Sequence, residues 1–213
     1  MSDLMGVVYR GQQAGYSNQQ PVAVQLNTLG QQVIMDWLQK AVLDGSVYQV
    51  RLGTITTHLT GDVDITDTAA ETSADGATGT TILPVRLNFD VEALGGTLPN
   101  ITAKSVATVS SAGTAFVPLP MRSGGSAAVS TARVSAAGGV TVTGELATTT
   151  LRHIGMTGSG IGDAAIHRVE NFLPAPVLVG PRCFYVQVGT VTTGSNYWMS
   201  FEYVEYDSAL VER

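Results

Sequence analysis

The sequence predicts an all-β protein, a sandwich or barrel of about eight to ten strands, and three observations predict it. Only 13% of the 213 residues are charged, whereas a typical globular domain has about a quarter. The chain is instead rich in Thr, Ser, Ala, Val and glycine, with 24 glycines. These residues form short alternating runs between turn signals, which is the pattern of β-strands. Such a composition is typical of a building block whose surface mostly meets other protein, rather than of an enzyme with a charged cleft.

The chain is expected to consist of an extended arm over residues 1–26 and a single β domain over residues 27–213. The arm begins with MGVVYR, which favours a short strand. The following GQQAGYSNQQP is polar and rich in glutamine, which is typical of a segment that orders against a partner.

Residues 28–44 predict the one helix, because apolar residues recur there on one face at the helical period. Thr28 and Gln31 have the spacing of a capping box, and Gly45 follows as a C-cap. The helix is expected to plug one end of the β domain. The alternative is a partner-binding helix with Trp37 as its anchor. The apolar face comprises Val33, Ile34, Trp37, Leu38, Ala41 and Val42.

Strand patterns of period two begin at Ser46 and recur to the end of the chain. Gly53 predicts a bulge or bend in the first strand. Residues 67–80 hold no large apolar residue, so they predict a polar surface loop with an exposed tip. The prolines of the following runs argue for edge strands or strand ends, because proline cannot donate to a sheet. These runs are 82–94, 100–110 and 114–120, and the prolines are Pro84, Pro118 and Pro120.

The C-terminal half predicts two hairpins. One joins the runs at 129–135 and 140–146 through the glycine pair at 138–139, and the other joins 183–193 to 196–207 through a Gly-Ser-Asn turn. Between them, residues 156–172 predict a glycine-rich loop and one helical turn capped by Asp163. In the last strand one face is large and apolar and is expected to be buried: Tyr197, Met199, Phe201 and Tyr203.

Motifs for catalysis or cofactor binding are not found, and no cofactor is predicted. Ser159 lacks the glycine spacing of a nucleophile elbow. The nearby glycines match neither the dinucleotide-binding nor the phosphate-loop pattern. Cys183 lies in an apolar run and is expected to be a buried small side chain, with a reactive thiol as the alternative.

Metal binding has one weak candidate. Asp62, Asp64 and Asp67 supply carboxylates that suit Ca²⁺, but the rest of an EF-hand pattern is missing, so a solvated acidic turn is favoured. No pair of cysteines or closely spaced histidines predicts zinc.

Charge argues against nucleic acid as a direct partner, and hydropathy argues against a membrane-spanning segment. The net charge is −6 and the 11 basic residues are scattered, so strong direct binding of nucleic acid is not expected. No apolar run approaches the roughly 20 residues of a membrane span, and the N-terminus does not have the pattern of a signal peptide.

The order of elements resembles the single jelly-roll coat proteins of icosahedral viruses and phages. The shared pattern is a polar arm, one helix, about eight β runs and a final aromatic-rich pair of strands over roughly residues 46–207. The resemblance implies a jelly-roll-like β-sandwich that self-assembles into a virion shell in the host cytoplasm, with other copies and other virion proteins as partners. It departs from coats of small RNA viruses in having no basic arm, which fits a genome held by other components.

Three functions therefore stand as hypotheses. The favoured one is a capsid protein without enzymatic activity, in which Tyr9, Arg10 and Tyr16 of the arm, and Trp37, contact neighbouring subunits. The second is a trimeric spike, fibre head or decoration protein with residues 67–80 or 121–127 at its exposed tip. The third is an enzyme, for which a histidine and a carboxylate paired in one pocket would be the sign.

Overall fold

Antiparallel strands make up most of the protein in the computed structural model. It describes residues 7–9, 21–23, 36–54, 56–60, 69–93, 100–135, 139–144, 150–155, 166–172, 174–189 and 196–210. In these residues the strands are accompanied by one α-helix, α1 (Trp37–Asp44), and a final 3₁₀ turn at Ser208–Leu210.

The larger sheet has seven strands, and its main order is β11-β3-β18-β7-β15. Two short strands complete it, β16 beside β7 and β4 beside β18. All its pairings are antiparallel. The bounds are β3 (Val47–Leu52), β4 (Leu59–Thr60), β7 (Thr80–Ala93), β11 (Leu119–Pro120), β15 (Ile166–Asn171), β16 (Leu178–Val179) and β18 (Asn196–Asp207).

The second sheet has six antiparallel strands in the order β10-β12-β6-β17-β8-β14. Consecutive strands of the chain alternate between the sheets at several points, as from β6 to β7 and from β17 to β18. The bounds are β6 (Thr72–Gly76), β8 (Asn100–Val106), β10 (Thr114–Phe116), β12 (Thr131–Val134), β14 (Thr150–Gly155) and β17 (Arg182–Gly189).

Two small sheets accompany these. A three-stranded sheet has the order β5-β13-β9, and β1 pairs with β2. The pairing of β1 agrees with the predicted strand in MGVVYR, while the division into arm and domain stays a prediction. The bounds are β1 (Val7–Tyr9), β2 (Pro21–Ala23), β5 (Ala69–Ala70), β9 (Ser111–Ala112) and β13 (Val140–Thr141).

The main core lies between the two large sheets, which pack face to face. The ring of Phe184 in β17 meets that of Phe201 in β18 at a centroid distance of 5.2 Å. Alternate residues of β18 point into this core, so the predicted buried face of the last strand is confirmed. The prediction of an all-β sandwich is confirmed as well, and its sheets are antiparallel.

Both outer faces of the sandwich carry a further layer. On the seven-stranded sheet, Ala41 of α1 packs with Val47, Val85 and Val204. On the six-stranded sheet, the small sheet β5-β13-β9 contributes to a second cluster, formed by Ala70, Val106, Val140, Val142, Cys183 and Tyr185. The helix therefore covers one outer sheet face, and the small sheet covers the other.

Helix α1 is shorter than predicted. Its N-cap is Asp36, whose backbone is not helical and whose Oδ1 accepts a hydrogen bond from the Leu38 N–H at 2.9 Å. A single unbroken helix over 28–44 is therefore wrong, because the short acidic side chain of residue 36 satisfies the first free N–H groups of a helix that begins at Trp37. Gly45 is confirmed as the C-cap, with φ of 80°. Residues 28–35 lie outside the described part.

The predicted surface loop at 67–80 is wrong for most of its described length. Residues 72–76 form β6, an interior strand of the six-stranded sheet, and only residues 77–79 are exposed. The segment has no large apolar side chain, yet it is buried because its polar groups are paired. The Thr72 hydroxyl, for example, donates to the carbonyl of Arg133 at 3.0 Å.

Both predicted hairpins are wrong. β17 and β18 lie in different sheets, so the chain between them crosses the sandwich instead of joining paired neighbours. β12 and β13 also belong to different sheets, β12 beside β6 and β13 beside β5. Turn residues alone do not distinguish a hairpin from a crossover, since both connections are short.

The proline and loop predictions have mixed outcomes. Pro120 does lie in an edge strand, β11. Pro84 instead lies inside β7, where the neighbouring strand changes from β16 to β15 and where Val85 forms a bulge against β18. The helical turn predicted before residue 172 is wrong over 166–171, which form β15; Asp163 lies outside the described residues.

The inter-sheet aromatic contact gives a stability prediction. Replacing Phe184 by Ala should lower the free energy of unfolding by about 3–5 kcal/mol, because it leaves a cavity in the main core. Phe116→Ala, at the partly buried edge strand β10, should cost less. Urea unfolding followed by tryptophan fluorescence compares the two, and equal losses would contradict this placement of the core.

Candidate assembly surface

The connection between β8 and β14 is unusually poor in charge. Over the forty residues 105–144 the only charged side chains are Arg122 and Arg133, and none is acidic. Arg133 is used within the protein, since its Nη1 donates to the carbonyl of Ala112 at 3.0 Å. Much of this connection is nevertheless exposed. A large exposed surface with so little charge is unusual for a protein that stays alone in water.

This connection extends both large sheets at the same side of the sandwich. Its strand β10 pairs with β12 at the end of the six-stranded sheet, and β11 pairs with β3 at the end of the seven-stranded sheet. Residues 114–120 therefore run from one sheet edge to the other. Among the described residues, β10 has a paired strand on one side only.

Exposed apolar side chains flank this edge. Val117, directly after β10, is 73% exposed, and Val129, two residues before β12, is 69% exposed. Leu119 and Met121 are each 41% exposed. We refer to β10 together with these four residues as the edge surface. Exposed apolar side chains close in sequence to the edge strands of two sheets are typical of a protein interface.

The edge surface is held in place by Glu205 of β18. Its two carboxylate oxygens accept hydrogen bonds from the backbone N–H groups of Val129 at 2.9 Å and Ser130 at 2.8 Å. The Ser130 hydroxyl also bonds to the Tyr203 hydroxyl at 2.7 Å. Burial, and more weakly the charge of Glu205, raises the pKa of Tyr203 despite that bond, so the phenol stays neutral. The edge surface is thus anchored to an interior strand.

A tight corner directs β10 to the edge. Ala112 and Gly113 both have positive φ, 55° and 64°. A Cβ on Gly113 would lie 2.9 Å from both the Val134 carbonyl oxygen and the Val140 Cγ2, so only glycine fits there. The corner turns the chain from β9, in the small sheet, into β10.

A buried carboxylate fixes the start of the same connection. Asp75 of β6 accepts from the Ser110 N–H at 2.9 Å and from its hydroxyl at 2.6 Å. Ser110 also bonds to Ser73 at 2.8 Å. These contacts satisfy a charge that would otherwise be costly to bury, and they attach residue 110 to the six-stranded sheet.

The outer face of the seven-stranded sheet carries a row of polar side chains. His167 bonds to Asp90 across β15 and β7, and Ser200 of β18 bonds to the amides of Gln49 and Asn88 at 3.4 and 3.3 Å. A catalytic triad would need a serine bonded to a histidine that is itself bonded to a carboxylate. His167 and Asp90 form the second of these bonds, but Ser200 pairs with amides instead of with His167. Nothing in these contacts activates a nucleophile.

The described residues offer neither a cluster of metal ligands nor an accessible thiol. No three His, Cys, Asp or Glu side chains there lie close enough to hold a metal ion, and the candidates Asp62, Asp64 and Asp67 fall outside them. Cys183 is fully buried, as predicted. Burial, with the nearby charge of Asp75, raises the pKa of its thiol well above the ordinary value. None of the described helices is long and apolar enough to cross a membrane.

The residues predicted to contact neighbouring subunits are only partly described. Trp37, the first residue of α1, is 43% exposed and is not part of the cluster between helix and sheet. Tyr9 lies in β1 opposite Pro21, and Arg10 and Tyr16 are outside the described residues. The edge surface was not predicted, although the forty-residue gap in charge was visible in the sequence.

Comparisons of the chain with models of protein families, with curated proteins and with solved structures find no match.

The Asp75 contact is testable by a matched pair of substitutions. Asp75→Asn should lower the free energy of unfolding by about 1–3 kcal/mol, because an amide replaces one acceptor oxygen of a buried, fully bonded carboxylate. Asp44→Asn removes a carboxylate paired with Lys40 in an exposed i, i+4 pair and should cost under about 0.5 kcal/mol. Thermal unfolding of both variants makes the comparison. Similar losses would show that Asp75 is not an anchor.

The raised thiol pKa predicts an unreactive cysteine. At pH 8 the native protein should fail to react with a disulfide reagent, because the thiol is buried and protonated, and it should react fully after unfolding. The absorbance of the released thiolate measures both. Rapid reaction of the native protein would contradict the burial of Cys183.

Proposed function

We propose that this protein is a structural subunit that assembles with copies of itself, as the coat protein of a virion shell. The observation that carries the proposal is the edge surface: an exposed, apolar and nearly uncharged strand edge that is anchored rigidly to the sandwich. Contact through such a surface buries apolar area without the cost of removing charges from water.

The order of the strands supports a jelly-roll fold for this subunit. Numbering the eight principal strands β3, β6, β7, β8, β14, β15, β17 and β18 from one to eight, the sheets read 1-8-3-6 and 2-7-4-5. Strands one and eight, two and seven, three and six, and four and five are thus antiparallel neighbours. This is the order expected when one long hairpin is rolled up, which produces the jelly roll of many capsid proteins.

The proposed shell does not require the subunit to grip nucleic acid itself. A chain of net charge −6 with scattered basic residues is poorly suited to contacts with many phosphates. The connection between β8 and β14 is suited to a different contact, since a surface with few charges favours contacts between subunits.

The mass of the purified protein in solution tests the proposal. Light scattering after size exclusion should give particles far heavier than the 22.2 kDa chain, and electron microscopy should show closed shells. A trimer would instead favour the spike, fibre-head or decoration protein. A monomer at every concentration would contradict both.

The chemistry of the interface gives a second test. Assembly through uncharged surfaces should persist when the salt concentration is raised from about 0.1 M to 1 M, because screening acts only on charges. Subunit assembly held by ion pairs would weaken over this range. Light scattering across the salt series distinguishes the two, and dissociation at high salt would contradict an uncharged interface.

A further inference from the structure

We infer that β10 pairs antiparallel with β10 of a second copy of this chain about a two-fold axis. The inference rests on the proposed function and specifies one interface of the assembly. The two six-stranded sheets would then join into one continuous sheet of twelve strands.

The edge of β10 favours pairing with another strand. Among the described residues this edge has no partner, and its backbone groups are a template for one. Proteins usually protect such edges with lysine or other charged residues, but Thr114, Ala115 and Phe116 carry no charge. Pairing with a partner strand protects such an edge as well.

Charge argues that this partner is a second copy. Two chains of net charge −6 repel wherever their acidic surfaces approach each other. The connection that contains β10 has no acidic residue over forty positions, so two copies meet there with little negative charge; the carboxylate that contacts the edge surface, Glu205, comes from β18 and is bonded to two N–H groups. A two-fold interface is self-complementary by symmetry, and an antiparallel strand pair meets that requirement.

The geometry places particular residues in the interface. With the axis at the middle of β10, Ala115 faces Ala115 of the other copy, and Thr114 faces Phe116. The exposed side chain of Val117 then lies beside the strand pair, where it would be buried, and Val129 lies one strand behind it, before β12. The hydrogen bonds from Val129 and Ser130 to Glu205 hold this part in place before the second copy arrives.

Disulfide trapping tests the pairing directly. Ala115→Cys is expected to form a covalent dimer on mild oxidation, because residues facing each other in an antiparallel pair have Cα atoms about 4.5–5.5 Å apart, a separation that a disulfide can bridge. The native Cys183 does not interfere, since it is fully buried. Val177→Cys is the control: Val177 is 52% exposed and precedes β16, at the opposite side of the seven-stranded sheet from β11. It should give no dimer on a non-reducing gel.

Charge substitution tests the same interface without new bonds. The double variant Val117→Asp, Val129→Asp should weaken self-association about tenfold or more, because it places like charges beside the axis. Val177→Asp should associate as the wild-type protein does. Circular dichroism verifies folding, and if the double variant does not fold, the disulfide test decides.

The outcomes separate this inference from the proposed function. If the wild-type protein assembles but Ala115→Cys gives no dimer and the charged variant assembles normally, the β10 interface is wrong and the structural role survives. A wild-type protein that is monomeric at all concentrations overturns both. Covalent dimers that form with Ala115→Cys and not with Val177→Cys support both the β10 interface and the structural role.

Discussion

The packing of β17 against β18 is the contact on which the rest of the protein depends. These strands are close in sequence, yet each is central in a different sheet, and their aromatic side chains meet in the core. Burying a large aromatic side chain contributes several times more than one hydrogen bond, so this contact holds the two sheets together. The outer layers attach to the backs of the same strands, through Tyr185 and Cys183 on one side and Val204 on the other.

The sequence predicted this core well because its signal is local. Large residues at every second position mark a buried strand face, and Tyr197 to Tyr203 are a clear case. Strand pairing was predicted poorly, since a short connection fits both a hairpin and a crossover between sheets. β6 was missed because its burial depends on polar partners far away in the chain. Ser110 is 35 positions from Asp75, and no local pattern reveals that contact.

The candidate assembly surface was likewise predictable only in part from the sequence. The low charge of residues 105–144, with Arg122 and Arg133 alone, is visible in the sequence, but the sequence analysis did not use it to predict a surface. The place of that surface follows only from the fold, because residues 114–120 reach the edges of two sheets at once. The predicted contact residues came from the N-terminal segment instead, where aromatic side chains are visible without any knowledge of pairing.

The turn at residues 77–79 offers a different use of this scaffold. It is exposed, and no atom lies within 4 Å of a Cβ built on Gly79. Its base is secured on both sides, by the Ser208 N–H to the Gly79 carbonyl and by the Gly180 N–H to the Thr80 carbonyl, each at 2.9 Å. A foreign peptide inserted after Thr78 would cost little loop entropy and would leave β10 untouched. Every copy in an assembly would then display that peptide at a fixed and repeated spacing.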